Sequence, residues 1–243
     1  TKELNKGVKG LKIALPKEYF AEGINPEVKE AVLAAAEKLR DLGAIVEEVS
    51  MPLVKYALPA YYILVCAEAS SSFGRFDGVA YGHRAKDYKD TAELYNKSRS
   101  EGFGSEVKRR IMLGTFALSA EHYNDYYKKA MQVTTLIKKQ HYEIFEEYDV
   151  ILSPIMPTTA AKLGDKGQDP VQAYLSDICT VNANIVGVPA ISIPCGFDSN
   201  GLPIGMQLTG RAFEEQTILT AAYAFEQNTN FKDKKPALSR GEK

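Results

Sequence analysis

Two charged side chains, Arg110 and Asp177, each lie on the shoulder of an apolar stripe with helical spacing, where a charge needs a partner. In SEVKRRIMLGTFALSA, a helix predicted over 105–120, the inward stripe is Val107, Ile111, Gly114 and Leu118. At about 100° per residue, Arg109 points roughly opposite Val107 and Arg110 sits on the flank of the buried face. The two arginines should therefore not be equivalent. Asp177 flanks a second stripe made of Val171, Tyr174, Ile178, Val181 and Ile185, on a helix predicted over 171–186. Such a pair serves one of two purposes. It makes salt bridges, with each other or with neighbours, or it clamps a zwitterion. Arg offers a planar fork to a carboxylate and Asp accepts from an ammonium, so a free amino acid such as glutamine would use both. Tyr61 and Tyr62, on a helix predicted over 53–72, are either core aromatics or a hydroxyl and ring wall for the same ligand.

Other chemistry finds less support. The first βα loop, PKEYFAEGIN, has no GxGxxG and no GxxxxGK[ST], so nothing there cradles a phosphate. Cys66, Cys179 and Cys195 are widely spaced, no CxxC occurs and the histidines do not cluster near them, which argues against zinc. Ser70-Ser71-Ser72 has no evident neighbouring base, which a nucleophilic serine requires. His83, His122 and His141 read as solvated, Cys195 as a buried inert thiol, and Glu68 as a partner for Arg75 or Arg84. A net charge of −1 exerts no pull on nucleic acid or membrane, and the Lys-Arg-Arg run at 108–110 is too short for a nucleic-acid patch. No apolar run is long enough for a membrane span, and free thiols suit a reducing cytoplasm.

The elements that position these residues are legible in order. LKIAL (11–15) and 44–49 read as strands flanking a helix that Asn25 caps, Pro26 opens and Gly43 stops, giving a parallel βαβ unit. The helix over 53–72 reads as buried. Residues 75–82 (RFDGVAYG) form a Gly- and aromatic-rich loop, and 90–100 a polar helix or irregular excursion. A long helix follows over about 122–147, then a strand, DVILSP (149–154). Gly187 closes the helix that carries Asp177. The AISI run, Ala190 to Ile193, suggests a strand covered on both faces, as in the middle of a sheet. Asn200-Gly201 supplies the positive-φ residues of a hairpin, Pro203 opens the returning strand, and 214–226 is the last helix. The fold class is α/β: a layered α/β/α arrangement around a mixed β-sheet, one domain over 1–243 with an entry segment at 1–9 and a polar tail at 232–243.

VPAISIPCG, GLPIGMQLTG and the following FEEQTIL resemble the C-terminal end of amidase signature enzymes. AEASSSFGRFDGVAYG, EVKRRIMLGTFALSA, YDVILSPIMPTTA and YLSDICTVNANIVG are similar, in this order, to the A subunits of tRNA-dependent amidotransferases. The resemblance covers nearly the whole chain. It implies that Arg110 binds the carboxylate of glutamine, that Asp177 binds its amino group, and that Tyr61 lies near it. It further implies B and C partner subunits and, through them, charged tRNA on which glutamate (or aspartate) is amidated. ATP and Mg would be used by a partner subunit, with no cofactor in this chain, and the location would be cytoplasmic. The family's Ser-Ser-Lys machinery sits in a Gly/Ser-rich signature, and no GGSSGGS-like run occurs here. The chain, which begins Thr1-Lys2-Glu3, is therefore expected to be a C-terminal half, inactive alone and prone to self-association through exposed sheet edges. The C-terminal half of a general amidase and a non-enzymatic binding scaffold are the alternatives.

Overall fold

A computed structural model describes residues 3–21, 23–164 and 174–235. The chain divides into two compact units, one formed by 1–58 with 136–243 and the other by 59–135.

The first unit is built on a five-stranded mixed sheet. Strands β1 (Lys12–Pro16), β2 (Ile45–Val49), β3 (Val150–Pro154), β4 (Ala190–Phe197) and β5 (Pro203–Gly210) are ordered β2-β1-β3-β5-β4. β2, β1 and β3 are parallel, and β5 runs antiparallel to both β3 and β4. The predicted βαβ unit is present, with α1 (Pro26–Asp41) between β1 and β2. The Asn25 side chain accepts from the Glu27 amide at 2.8 Å, which satisfies one of the donors left open at the helix start. Gly43 follows the helix at φ 97°, a conformation that disfavours any residue with a Cβ.

The alternation of β5 assigns the two faces of the sheet. A Cβ at Gly210 would meet Ile218 of the last helix, α7 (Glu215–Gln227), and one at Gly196 would meet Ala31 of α1. Because directly paired antiparallel residues share a face, Ile191, Ile193, Ile204, Met206 and Leu208 lie on that same helix-covered side. The opposite face carries Gln207 and Thr209 on β5, Ser153 on β3, and Ala190 and Ser192 on β4. There Ala190, Ser192 and Pro194 are exposed. This corrects the reading of AISI as a strand covered on both faces. Among the described residues β4 is one of the two edge strands, and the side bearing Ala190, Ser192 and Pro194 is uncovered.

The hairpin between β4 and β5 also departs from expectation. Gly201 takes the left-handed conformation at φ 79°, but Asn200 does not. Asp198 organises the turn instead, accepting from the amides of Asn200 and Leu202 at 2.9 and 2.8 Å and from the Thr159 hydroxyl at 2.8 Å. Desolvation pushes the Asp198 carboxyl up, and these bonds outweigh it, so the group titrates below its ordinary value.

The second unit holds α2 (Ala57–Ser72) from Pro59 onward, α3 (Thr91–Gly102), α4 (Ser105–Leu118) and the start of α5 (Lys129–Glu147). α2 is not buried throughout: Tyr61 to Val65 are half-buried and Glu68 is exposed. The 90–100 stretch, read as helical or irregular, is helical from Thr91, where Asp90 caps the helix by accepting from the Glu93 amide and Glu93 accepts from the Lys89 amide. A π-helical turn, Asn124–Lys128, precedes α5. Gly104 holds the cap position of α4 and Ser105 is its first helical residue.

Candidate functional site

Arg110 sits on α4 in line with Gly114 and Ala117, the two residues of that helix that are buried. Of the expected inward stripe Gly114 is buried, while Val107, Ile111 and Leu118 are half-buried. The contact line of α4 therefore runs through Arg110 rather than beside it. The two arginines differ as anticipated: the side chain of Arg109 is 43% exposed and that of Arg110 32%. Glu106, one turn earlier, serves both. One carboxylate oxygen accepts from Arg110 Nε at 3.0 Å and the other from Arg109 Nη1. The Arg110 guanidinium also lies over the Tyr62 ring, 5.9 Å from its centroid. Tyr62 in turn meets Tyr61 edge-on, with ring centroids 5.4 Å apart. The second unit thus holds Arg110, Tyr61 and Tyr62, with Tyr62 as the ring against the guanidinium.

The sequence reading did not single out Glu106. Its spacing of four from Arg110 on a predicted helix was the available signal.

Ser70 hydrogen-bonds Thr115 Oγ1 at 2.9 Å, and Thr115 itself donates to the Ile111 carbonyl. An alcohol is the neighbour here, not a base. Glu68 makes no ion pair with Arg75 or Arg84; Arg75 donates to the Ser72 carbonyl and Arg84 to the Tyr88 hydroxyl.

Asp177 belongs to the first unit. The continuous helix expected over 171–186 is not what carries it. Residues 171–173 lie outside the described residues; 174–175 are α-helical, and the chain then tightens to a 3-10 turn, Ser176–Cys179, before the short helix α6 (Val181–Val186). Thr180 stitches the two together, with its amide and hydroxyl both donating to the Asp177 carbonyl at 3.0 and 3.1 Å. Gly187 ends α6 in the left-handed conformation, as predicted. The turn is anchored to the polar face of the sheet: Gln207 Nε2 donates to the Cys179 carbonyl at 3.2 Å and to Ser153 Oγ at 3.3 Å. These buried groups satisfy one another in a region where an unpaired amide would be costly. A cavity of about 290 Å³ backs the turn, lined by Tyr19, Ile24, Val54, Lys55, Ile178 and Cys179 among others. Burial pushes the Cys179 and Cys195 thiols up to about 12, so both stay protonated and unreactive near neutral pH, as read for Cys195.

The histidines correct the sequence reading in part. His141 is 2% exposed, its Nδ1 bonded to the Ile137 carbonyl at 2.9 Å, and burial lowers its basicity. His83 pairs with Glu101 at 2.7 Å. Among the described residues no three His, Cys, Asp or Glu side chains assemble to hold a metal, and no helix is long and apolar enough to cross a membrane.

The family model described as Amidase matches residues 1–219. Curated relatives named as the A subunit of glutamyl-tRNA(Gln) amidotransferase include those of Agathobacter rectalis, 56% identical over 96% of this chain and 46% of that protein, and Brevibacillus brevis, 58% identical over 96% and 48%. The Streptococcus gordonii relative of the same name is 54% identical over 100% of this chain and 50% of its own length. The chain therefore spans about half the length of the curated relatives it matches. Among solved structures, the glutamyl-tRNA(Gln) amidotransferase A subunit of Thermotoga maritima superposes with a TM-score of 0.68 at 39% identity, over 93% of this chain and 44% of that one. A bacterial aryl acylamidase of the amidase signature family has a TM-score of 0.73 at 20% identity, over 96% of this chain and 46% of that one, which speaks to the fold alone. With the family model spanning 219 of its 243 residues, this chain belongs to the Amidase family.

Proposed function

We propose that this chain is the C-terminal half of a glutamine-hydrolysing A subunit of a tRNA-dependent amidotransferase. The observation that carries the reading is identity above 50%, sustained over nearly the whole chain, to relatives that bear that name. In this reading Arg110 takes the α-carboxylate of glutamine, Asp177 takes its α-ammonium, and Tyr61 lines the site. The geometry on α4 suits the first role. A guanidinium held by Glu106 and set over the Tyr62 ring has lost much of its rotamer freedom before the ligand arrives. A turn pinned through Cys179 to Gln207 gives Asp177 a firm base in the first unit.

The reaction is hydrolysis of the side-chain amide: water is consumed, and glutamate and ammonia are released. The nucleophile that attacks this amide lies outside the 243 residues. Ser70 donates to an alcohol rather than to a base, which supports this. Ammonia then passes to a B subunit held with a C subunit, which uses ATP and Mg to amidate glutamate, or aspartate, on tRNA in the cytoplasm.

The test is a glutaminase assay with three samples. The 243-residue chain alone should release no ammonia. The complete A subunit in its complex should release it. Arg110→Lys and Asp177→Asn in that complex should raise KM for glutamine on the order of tenfold or more, since the first loses the planar fork that grips a carboxylate with two bonds and the second the charge that faces the ammonium, and a hydrogen bond to a charged group is worth about 1.5–3 kcal/mol. Ammonia release by the 243-residue chain, or an unchanged KM in both variants, would refute the assignment.

A further inference from the structure

In the second unit α4 lies against α2 at one point of backbone contact. A Cβ built on Gly114 would fall 1.9 Å from the Cys66 carbonyl oxygen and 2.7 Å from the Ser70 Cβ. Backbone cannot withdraw as a flexible side-chain tip can, so any side chain at 114 must drive the helices apart. The conformation of Gly114 is ordinary helix, with no positive φ to require glycine there. Its smallness serves the crossing alone. Beside it, Ser70 and Thr115 close the same contact with a 2.9 Å hydrogen bond.

Arg110 is one turn before Gly114 on α4, and Tyr62 is one turn before Cys66 on α2. The guanidinium–ring contact at 5.9 Å is thus the next contact along the same crossing. Both helices are rigid over one turn, so their separation at Gly114–Cys66 sets how far Arg110 stands from the α2 aromatics. The charges of Arg110 and Glu106 also reach the buried Cys66 thiol: burial pushes the thiol up, Arg110 opposes it and Glu106 adds to it.

We propose that Gly114 is a positioning residue for Arg110, holding α4 on α2 so that the guanidinium meets the ligand carboxylate in register. The proposal rests on the glutamine reading above. It concerns a part of the substrate remote from the amide that breaks, so loss of position should weaken binding in ground state and transition state alike.

The experiment uses the complete amidotransferase, with glutamine as nitrogen donor and, in parallel, ammonium chloride. Ammonium bypasses the glutamine site and reports on assembly and on the amidation step. Gly114→Ala should raise KM for glutamine on the order of tenfold or more, given what a displacement of about 1 Å costs a positioned group, with kcat and ammonium-dependent amidation little changed. Ser70→Val, a smaller wedge at the same crossing, should raise KM less. A Gly114→Ala enzyme that melts at a lower temperature but keeps its glutamine KM would overturn the proposal, since that is the signature of packing alone. If Gly114→Ala abolishes ammonium-dependent activity as well, Ser70→Val decides: a raised glutamine KM sustains the proposal and an unchanged one rejects it. Arg110→Lys in the same assay separates the two layers. An unchanged KM there and in Asp177→Asn removes the glutamine reading itself, whereas a raised KM in Arg110→Lys beside an unchanged Gly114→Ala removes only the role of Gly114.

Discussion

Arg110 shows how one side chain can be shaped by residues that would not bind its ligand. Glu106 fixes one edge of the guanidinium and Tyr62 one face, while Arg109, its neighbour in sequence, points to solvent. His141 illustrates the opposite case, a titratable group enclosed without a charged role. Burial lowers its folded-state pKa, and the bond to the Ile137 carbonyl only partly opposes this. Below the unfolded value of about 6.5 the unfolded chain then binds more protons than the native one, so stability falls as pH falls through that point. Urea midpoints measured from pH 7.5 down to 5 should drop for the native sequence. In His141→Leu the same window should be flatter. Equal slopes for the two proteins would show that His141 is not enclosed as neutral imidazole.

At the scale of elements, the termini carry the clearest chemistry. Asn25 caps α1 and Gly187 ends α6 in the left-handed region, with no atom within 4 Å of a Cβ placed there. Asn25→Ala should cost about 1 kcal/mol through the lost cap. Gly187→Ala should cost about 1–2 kcal/mol through backbone conformation alone, because nothing obstructs the new methyl. Urea denaturation of both variants checks this. A Gly187→Ala protein as stable as the parent would mean that α6 ends in some other way. The turn bearing Asp177 is the element that departs most from the helix its spacing predicts. A 3.6-residue apolar period runs through 171–186, yet the chain around Asp177 tightens to a 3-10 turn whose last carbonyl is claimed by Gln207 from a strand.

For the molecule as a whole, the sheet ends at β4 among the described residues, and one face of that strand is exposed. An open edge offers unpaired backbone donors and acceptors to another chain. The isolated 243-residue chain should therefore self-associate, with a light-scattering mass that rises with concentration. Ser192→Lys, which places a charge on the exposed side of β4, should shift that association to higher concentration. A concentration-independent monomer mass for the parent chain would contradict this.

The parts of this protein legible in the sequence are those governed by neighbours a few residues away. The Asn25-Pro26 start, the Gly43 and Gly187 stops, the βαβ order and the inequality of Arg109 and Arg110 all follow from local capping, backbone freedom and helical period. The family too was legible, from motifs in their order. What the tertiary structure decided depends on long-range pairing. Strand order made β4 an edge rather than a centre, although its apolar run reads like a core strand. Packing on α2 put Arg110 on the contact line of α4 and chose Tyr62 as its ring neighbour. Enclosure in the fold turned His141 from a surface histidine into a buried one. Period and composition state that a face is apolar, but which partner covers it, and how fully, is settled only when segments far apart in the chain meet.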